Sequence, residues 1–145
     1  MPPEHLANLA RIGQLKVEAR NAAEVARMLK LAKTRLADAQ LPHVSRDGRF
    51  ASSYGAGHAA ALAALRWYGY RSESRFTVFQ CLQHTLGWPP HRWRVLDAAH
   101  QKRNMAEYEG YLDIEESLVV ELIALVQDLI EPHRVSRRPV GLSQT

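Results

Sequence analysis

The chain contains little of what disulfide frameworks, sheets and membrane spans are built from. Its one cysteine, Cys81, excludes a disulfide within the chain and favours a reducing compartment. Valine, isoleucine and threonine do not alternate over a strand-length run, which argues against an extensive sheet. No stretch reaches the roughly 18 uncharged apolar residues that a membrane span needs, and the N-terminus lacks the pattern of a signal peptide. The sequence predicts a soluble, cytoplasmic protein.

One stretch dominates what is present. Residues 49–71, RFASSYGAGHAAALAALRWYGYR, are the part of the chain richest in apolar and small side chains, and they keep a helical period on two adjoining faces. Gly55 and Gly57 remove side-chain bulk, which lets neighbouring backbones approach closely, and Gly69 supplies a left-handed stop. We therefore predict a central helix that the other helices cover.

Helical patterns also extend over most of the remaining chain. Alanine, leucine, arginine and glutamate are frequent, so the composition favours helices. We predict an all-α, up-and-down bundle of four main helices with short N-terminal helices in a single domain, residues 1–131, followed by a basic, flexible tail, residues 132–145. Helices are expected to begin at Asn21, at Ser45 or Asp47, at Ser72 or Ser74, at Pro90 and at Asp113. They are expected to end at Gly13, Gln40, Gly87 and Glu109.

The last helix is apolar on two faces, represented by Leu122 and Val126. This is wider than the apolar stripe of a helix that lies on the surface. The pattern predicts either a central position or a contact with a second subunit, and we expect a homodimer.

The segment AAHQKRNMAEYEGY, residues 98–111, combines several chemically useful side chains. At 100° per residue, His100, Arg103 and Glu107 fall within about 80° of helix surface that also carries Trp93 and Leu96. A half-buried arginine implies a carboxylate or a polar cleft. The pattern therefore indicates either a functional site or a structural ion pair between Arg103 and Glu107.

A second group of cations lies among tryptophans. Arg92, Arg94 and Lys102 occur near Trp88 and Trp93, a mixture typical of proteins that bind single-stranded nucleic acid. The alternative is a solvated basic face above tryptophans that belong to the core. The net charge of +4 favours neither interpretation. The seven histidines lack the paired spacing of a zinc site, so neither a metal nor another cofactor is predicted.

Two of these stretches resemble the HEPN family of small helical domains. The long alanine-rich helix with its early Arg-Phe and Tyr is similar to the central helix of that family, and RNMAEY, residues 103–108, resembles its signature of arginine, a polar residue and a later histidine. The resemblance covers roughly residues 6–130. It implies a helical bundle that forms dimers and, in the ribonuclease members, a cleft between two protomers that cuts RNA without a metal.

Carried over to this chain, the signature gives Arg103 and Asn104, with Tyr108 where the family has histidine. A phenol with a pKa near 10 is a poor base at neutral pH, whereas a free imidazole titrates near 6.5, and His100 lies one turn before Arg103. We therefore expect a non-catalytic or degenerate member that binds RNA or a partner protein, in a toxin–antitoxin or phage-defence system. The alternatives are a metal-independent endoribonuclease that uses Arg103 and Asn104 with His100 or Tyr108, and a partner of a small nucleotidyltransferase that modifies Tyr108 or Tyr111.

Overall fold

The structure is a computed structural model, and it describes residues 4–131. Its elements are α1 (Glu4–Arg11), β1 (Lys16–Val17), α2 (Ala22–Ala39), α3 (Arg46–Trp67), β2 (Tyr70–Arg71), α4 (Arg75–Gln80), α5 (Leu82–Thr85), α6 (Pro90–Glu109) and α7 (Glu116–Ile130). The predicted all-α bundle is confirmed. The tail predicted for residues 132–145 lies outside the described part.

Helix starts are fixed by side chains that accept hydrogen bonds from the first turn. Asn21 accepts from the Glu24 amide at 3.0 Å, and Ser45 accepts from the Gly48 amide at 3.0 Å. Ser74 does the same for α4, with the Thr77 amide at 3.3 Å. Of the alternative caps, the structure therefore selects Ser45 and Ser74.

The central helix α3 packs against α2, α4, α6 and α7. It begins at Arg46, directly after the predicted cap Ser45, and ends at Trp67, and Gly69, whose φ of 88° lies in the left-handed region, is the predicted stop after it. A Cβ on Gly57 would lie 2.8 Å from Leu96 Cδ2 and 3.1 Å from Val126 Cγ2. This glycine therefore permits close contact of α3 with α6 and α7.

Two parts of the chain differ from the expectation. The connector after α1 contains β1, which pairs antiparallel with β2, so Lys16 lies opposite Arg71. The helix expected between Ser74 and Gly87 is divided at Cys81 into α4 and α5. The buried side chains of α4 are Thr77, Val78 and Phe79, whereas Phe76 is 44% exposed and meets the Trp93 ring edge-on.

The two apolar faces of α7 are used inside the protomer. Val119, Leu122, Val126 and Leu129 are all buried in the common core, and α7 packs against α2, α3 and α6. Of the two interpretations of this helix, the structure supports the central position. The homodimer stays a prediction.

Candidate functional site

Five polar or charged side chains from three helices meet near the C-terminal half of α6. The hydroxyl of Tyr54 on α3 lies 3.0 Å from His100 Nδ1 on α6, and the two rings are nearly parallel, at 11°. Arg75, the first residue of α4, donates to the same hydroxyl at 3.1 Å. Asn104 Nδ2 lies 3.3 Å from His100 Nε2, and Arg103 completes the group. We call these residues, Tyr54, Arg75, His100, Arg103 and Asn104, the tyrosine cluster.

The hydrogen bonds of the cluster form a continuous chain through His100. Its Nδ1 shares a hydrogen bond with the Tyr54 hydroxyl and its Nε2 one with the Asn104 side chain, and the direction of each depends on which ring nitrogen carries the proton. Arg75 donates to the same hydroxyl oxygen.

Two guanidinium groups lie near the same aromatic ring. The Cζ atoms of Arg75 and Arg103 are 5.6 Å and 5.7 Å from the centre of the Tyr54 ring, within the range of a cation–π contact. Among residues 4–131, Arg103 has one carboxylate in ion-pair contact, that of Glu107 at 3.7 Å, and the Glu107 side chain is 67% exposed. An exposed pair of this kind contributes little, about 0–1 kcal/mol.

Arg75 differs from the other partly or fully buried arginines. Those with a carboxylate in ion-pair contact are Arg49, Arg66, Arg71, Arg92 and Arg103. Within residues 4–131, Arg75 has no such partner, and its hydrogen bond goes to a neutral phenol. Arg75 therefore brings to the cluster a positive charge that no carboxylate of residues 4–131 neutralises by direct contact, and Asp97 acts on Tyr54 and His100 without such a contact.

The excess positive charge acts on two histidines. Burial, together with the charges of Arg75, His100 and Arg103, lowers the pKa of His58 from 6.5 to about 4. Burial and Arg75 also lower the pKa of His100, with a smaller contribution from Arg103, whereas Asp97 opposes the shift. Both imidazoles are therefore neutral at pH 7. Burial raises the pKa of Tyr54, so its phenol stays protonated.

The structure brings together His100, Arg103 and Asn104 but leaves out Tyr108. The side chain of Tyr108 is 92% exposed and makes no hydrogen bond or ring contact with the residues that the structure describes. Tyr111 is also exposed, at 63%. The ion pair between Arg103 and Glu107, which was the alternative interpretation of this segment, is also present, at 3.7 Å.

The three cations predicted to bind nucleic acid do not share one surface. Arg92 donates to Asp128 at 2.8 Å and lies 4.4 Å over Trp88, so it is tied to α7 and to the core. Arg94 is exposed beside Trp93, and Lys102 is exposed with no ion pair to any of residues 4–131. At 100° per residue, Arg94 points about 160° away from Arg92. Arg92 and Arg94 therefore lie on different sides of α6, and the role of the three cations in binding nucleic acid stays a prediction.

Sequence reasoning missed two residues of the cluster, and each carried a usable signal. Tyr54 belongs to the apolar pattern of the central helix, but a buried tyrosine needs a partner for its hydroxyl. Arg75 directly follows the helix cap Ser74, and a cation in the first turn is opposed by the helix dipole. An arginine in that position indicates some other interaction.

Comparison with known proteins finds no match. No family model matches the chain, and neither a curated protein nor a solved structure is significantly similar to it. The resemblance to HEPN domains therefore depends on sequence patterns alone, those of residues 49–71 and 103–108 and of the N-terminal stretch 9–40, and it stays a prediction. In residues 4–131 no helix is long and apolar enough to cross a membrane, and that part has no group of His, Cys, Asp and Glu that could hold a metal ion.

Proposed function

We propose that the protein binds RNA by holding a phosphate group at the tyrosine cluster, and that it does so without cleaving the RNA. One observation carries the proposal. Arg75 and Arg103 lie on the same tyrosine ring, and the only carboxylate in ion-pair contact with either of them, within the described part of the chain, is the exposed Glu107. A phosphate would supply the missing negative charge.

The hydrogen-bonding groups of the cluster suit a phosphate. A phosphate oxygen only accepts, and the cluster offers the remaining N–H groups of Arg75 and Arg103. Arginine is well matched to phosphate because its planar fork donates two parallel bonds. The choice of RNA among phosphate-bearing ligands follows from the resemblance to HEPN domains, whose signature supplies Arg103 and Asn104.

Metal-independent RNA cleavage is a second candidate, favoured by the state of His100. Its imidazole is neutral at pH 7 and lies beside Arg103, so it could accept a proton while the guanidinium stabilises charge that develops on phosphorus. Tyr108 lies outside this arrangement. Any cleavage should therefore need both His100 and Arg103 and should survive Tyr108→Phe.

Two partner proposals also follow from the resemblance. A homodimer would have to use a surface other than the two main faces of α7, because their side chains are largely buried within one protomer. A nucleotidyltransferase could reach Tyr108 and Tyr111, because both side chains are exposed. A place in a toxin–antitoxin or phage-defence system would agree with either partner.

The test is binding of a fluorescein-labelled, mixed-sequence single-stranded RNA, followed by anisotropy in the presence of chelator at several salt concentrations. We compare the wild type with Arg75→Met, Arg103→Met and the control Arg27→Met, which removes an exposed arginine of α2. Each cluster variant should weaken binding about tenfold or more, as expected for a charged hydrogen bond. Each variant should also reduce by about 0.7 the slope of the logarithm of the binding constant against the logarithm of the salt concentration, the value for one phosphate contact on a single strand.

The control variant and the integrity of the RNA after incubation distinguish binding without cleavage from metal-independent cleavage. Arg27→Met should change neither the affinity nor the slope, and the RNA should remain uncut. If the cluster variants bind as tightly as the wild type, the phosphate site is excluded. If the wild type cuts the RNA and His100→Ala does not, the second candidate replaces the first.

A further inference from the structure

A cavity of about 660 Å³ lies among α2, α3, α5, α6 and α7, and no residue of the tyrosine cluster lines it. On α6 the cavity is lined by Arg92, which precedes Arg103 by 11 residues, or about 16 Å along the helix. The two sites are therefore distinct.

The cavity exists because one side of α3 carries only small side chains at this point. Ala60, Ala63 and Ala64 line it, and the same side of α3 ends in the large ring of Trp67, while the Trp88 ring forms another wall. Protein interiors leave few voids larger than a water molecule, and binding sites for small molecules measure about 300–1,000 Å³. Trp67 is 49% exposed, so this wall also reaches the surface.

The charges around the cavity cancel. Arg92 and Asp128 both line it, and they form an ion pair with each other at 2.8 Å. The guanidinium of Arg92 also lies 4.4 Å over the Trp88 ring, so its position is fixed on two sides. The other walls are mostly apolar, and an apolar wall disfavours a ligand that carries an unpaired charge.

One polar group of the wall lacks a partner. The hydroxyl of Thr85 is buried and forms no hydrogen bond to any of residues 4–131. A buried hydroxyl without a partner costs about 1–3 kcal/mol. Since Thr85 lines the cavity, a molecule held there would contact this side chain.

We infer that this cavity binds an uncharged, largely aromatic small molecule with one hydrogen-bonding group, which pairs with the Thr85 hydroxyl. The tryptophan rings provide flat apolar surface, the volume fits a molecule of that class, and the Arg92–Asp128 pair leaves no net charge to attract an ion. The inference does not depend on RNA binding.

The test uses two probes of nearly equal size, 2-naphthol and naphthalene, which differ by one hydroxyl. Binding is measured by tryptophan fluorescence for the wild type, Thr85→Val and Ala64→Leu. Thr85→Val should weaken 2-naphthol roughly two- to tenfold, the value of one neutral hydrogen bond, and leave naphthalene unchanged or tighter. Ala64→Leu should weaken both probes, because leucine occupies part of the cavity.

Two controls locate the probes. Ala51→Leu adds the same side chain at an exposed position of α3 outside the cavity and should leave both affinities unchanged. In the wild type, the indole N–H signals of Trp67 and Trp88 should shift when 2-naphthol binds, whereas that of Trp93, which does not line the cavity, should not. Failure of the wild type to bind either probe, or equal weakening of both by Thr85→Val, would overturn the inference.

Discussion

Arg66 is the one charged side chain that is fully buried in residues 4–131, with 1% of its surface exposed, and replacing it by methionine should destabilise the fold strongly. It donates to Glu24 Oε1 at 2.8 Å and to the carbonyl oxygens of Glu18 and Ala19 at 2.7 Å and 2.8 Å. A fourth bond reaches the Tyr70 carbonyl at 3.3 Å. One guanidinium therefore fixes the connector and β2 to the central helix.

The size of the effect follows from what Arg66→Met leaves behind. Removing one partner of a buried ion pair costs about 3–5 kcal/mol. Glu24 is partly exposed and keeps its second partner, Arg71, so we expect the lower end, about 3 kcal/mol. The measurement is urea unfolding followed by circular dichroism. The control Arg27→Met removes an exposed arginine and should stay within about 0.5 kcal/mol of the wild type.

The pH dependence of the same pair gives an independent check. The hydrogen bond from Arg66 is the main cause that lowers the pKa of Glu24 below 4.5. A carboxyl whose pKa is lower in the folded state stabilises the fold above pH 4.5, and this contribution is lost as the pH falls through the folded value. In Arg66→Met, the free energy of unfolding should therefore fall less steeply below pH 4.5 than it does in the wild type. If the variant is as stable as the wild type and loses the same stability at acid pH, Arg66 does not fix the connector to the central helix.

Three further predictions concern the packing at Gly57, the hydroxyl of Thr85 and the pKa of His58. Gly57→Ala should destabilise the protein by about 1–3 kcal/mol in thermal unfolding, because the new Cβ would lie 2.8 Å from Leu96 Cδ2 in a packed contact; equal stability would show that the helices can separate at no cost. Thr85→Val should raise the free energy of unfolding by about 1 kcal/mol, because it removes a buried hydroxyl without a partner and keeps the shape; a loss would mean that the hydroxyl is satisfied. The pKa of His58, measured by NMR, should be about 4, so the fold should lose stability as the pH falls from 6.5; a value near 6.5 would contradict the burial assigned to it.

Local signals in the sequence predicted the helices well. Pro90 starts α6, and the helix ends at Glu109, as expected from the missing amide donor of proline and from the helical period. Asn21 caps α2 in the predicted way. In each case the structure is decided by residues within one or two turns of each other, and these are neighbours in the sequence.

The candidate site could be predicted only in part, because its bonds join distant residues. Tyr54 and His100 are 46 positions apart, and Tyr54 and Arg75 are 21 apart. Helical spacing placed His100 and Arg103 on one face, but it cannot show which side chain of another helix that face meets. Tyr108 was assigned by its place in a motif, and the exposure of its side chain depends on how α6 lies against the rest of the bundle.

The central claim is that a phosphate group of RNA binds at the tyrosine cluster, and the pKa of His100, measured by NMR with and without RNA, tests it most directly. Burial and Arg75 lower this pKa in the free protein. A phosphate held by Arg75 and Arg103 would place negative charge beside the imidazole and favour its protonated form. The pKa of His100 should therefore rise when RNA is bound, and Arg75→Met should reduce that rise. RNA that binds without changing the pKa of His100 would contradict the claim.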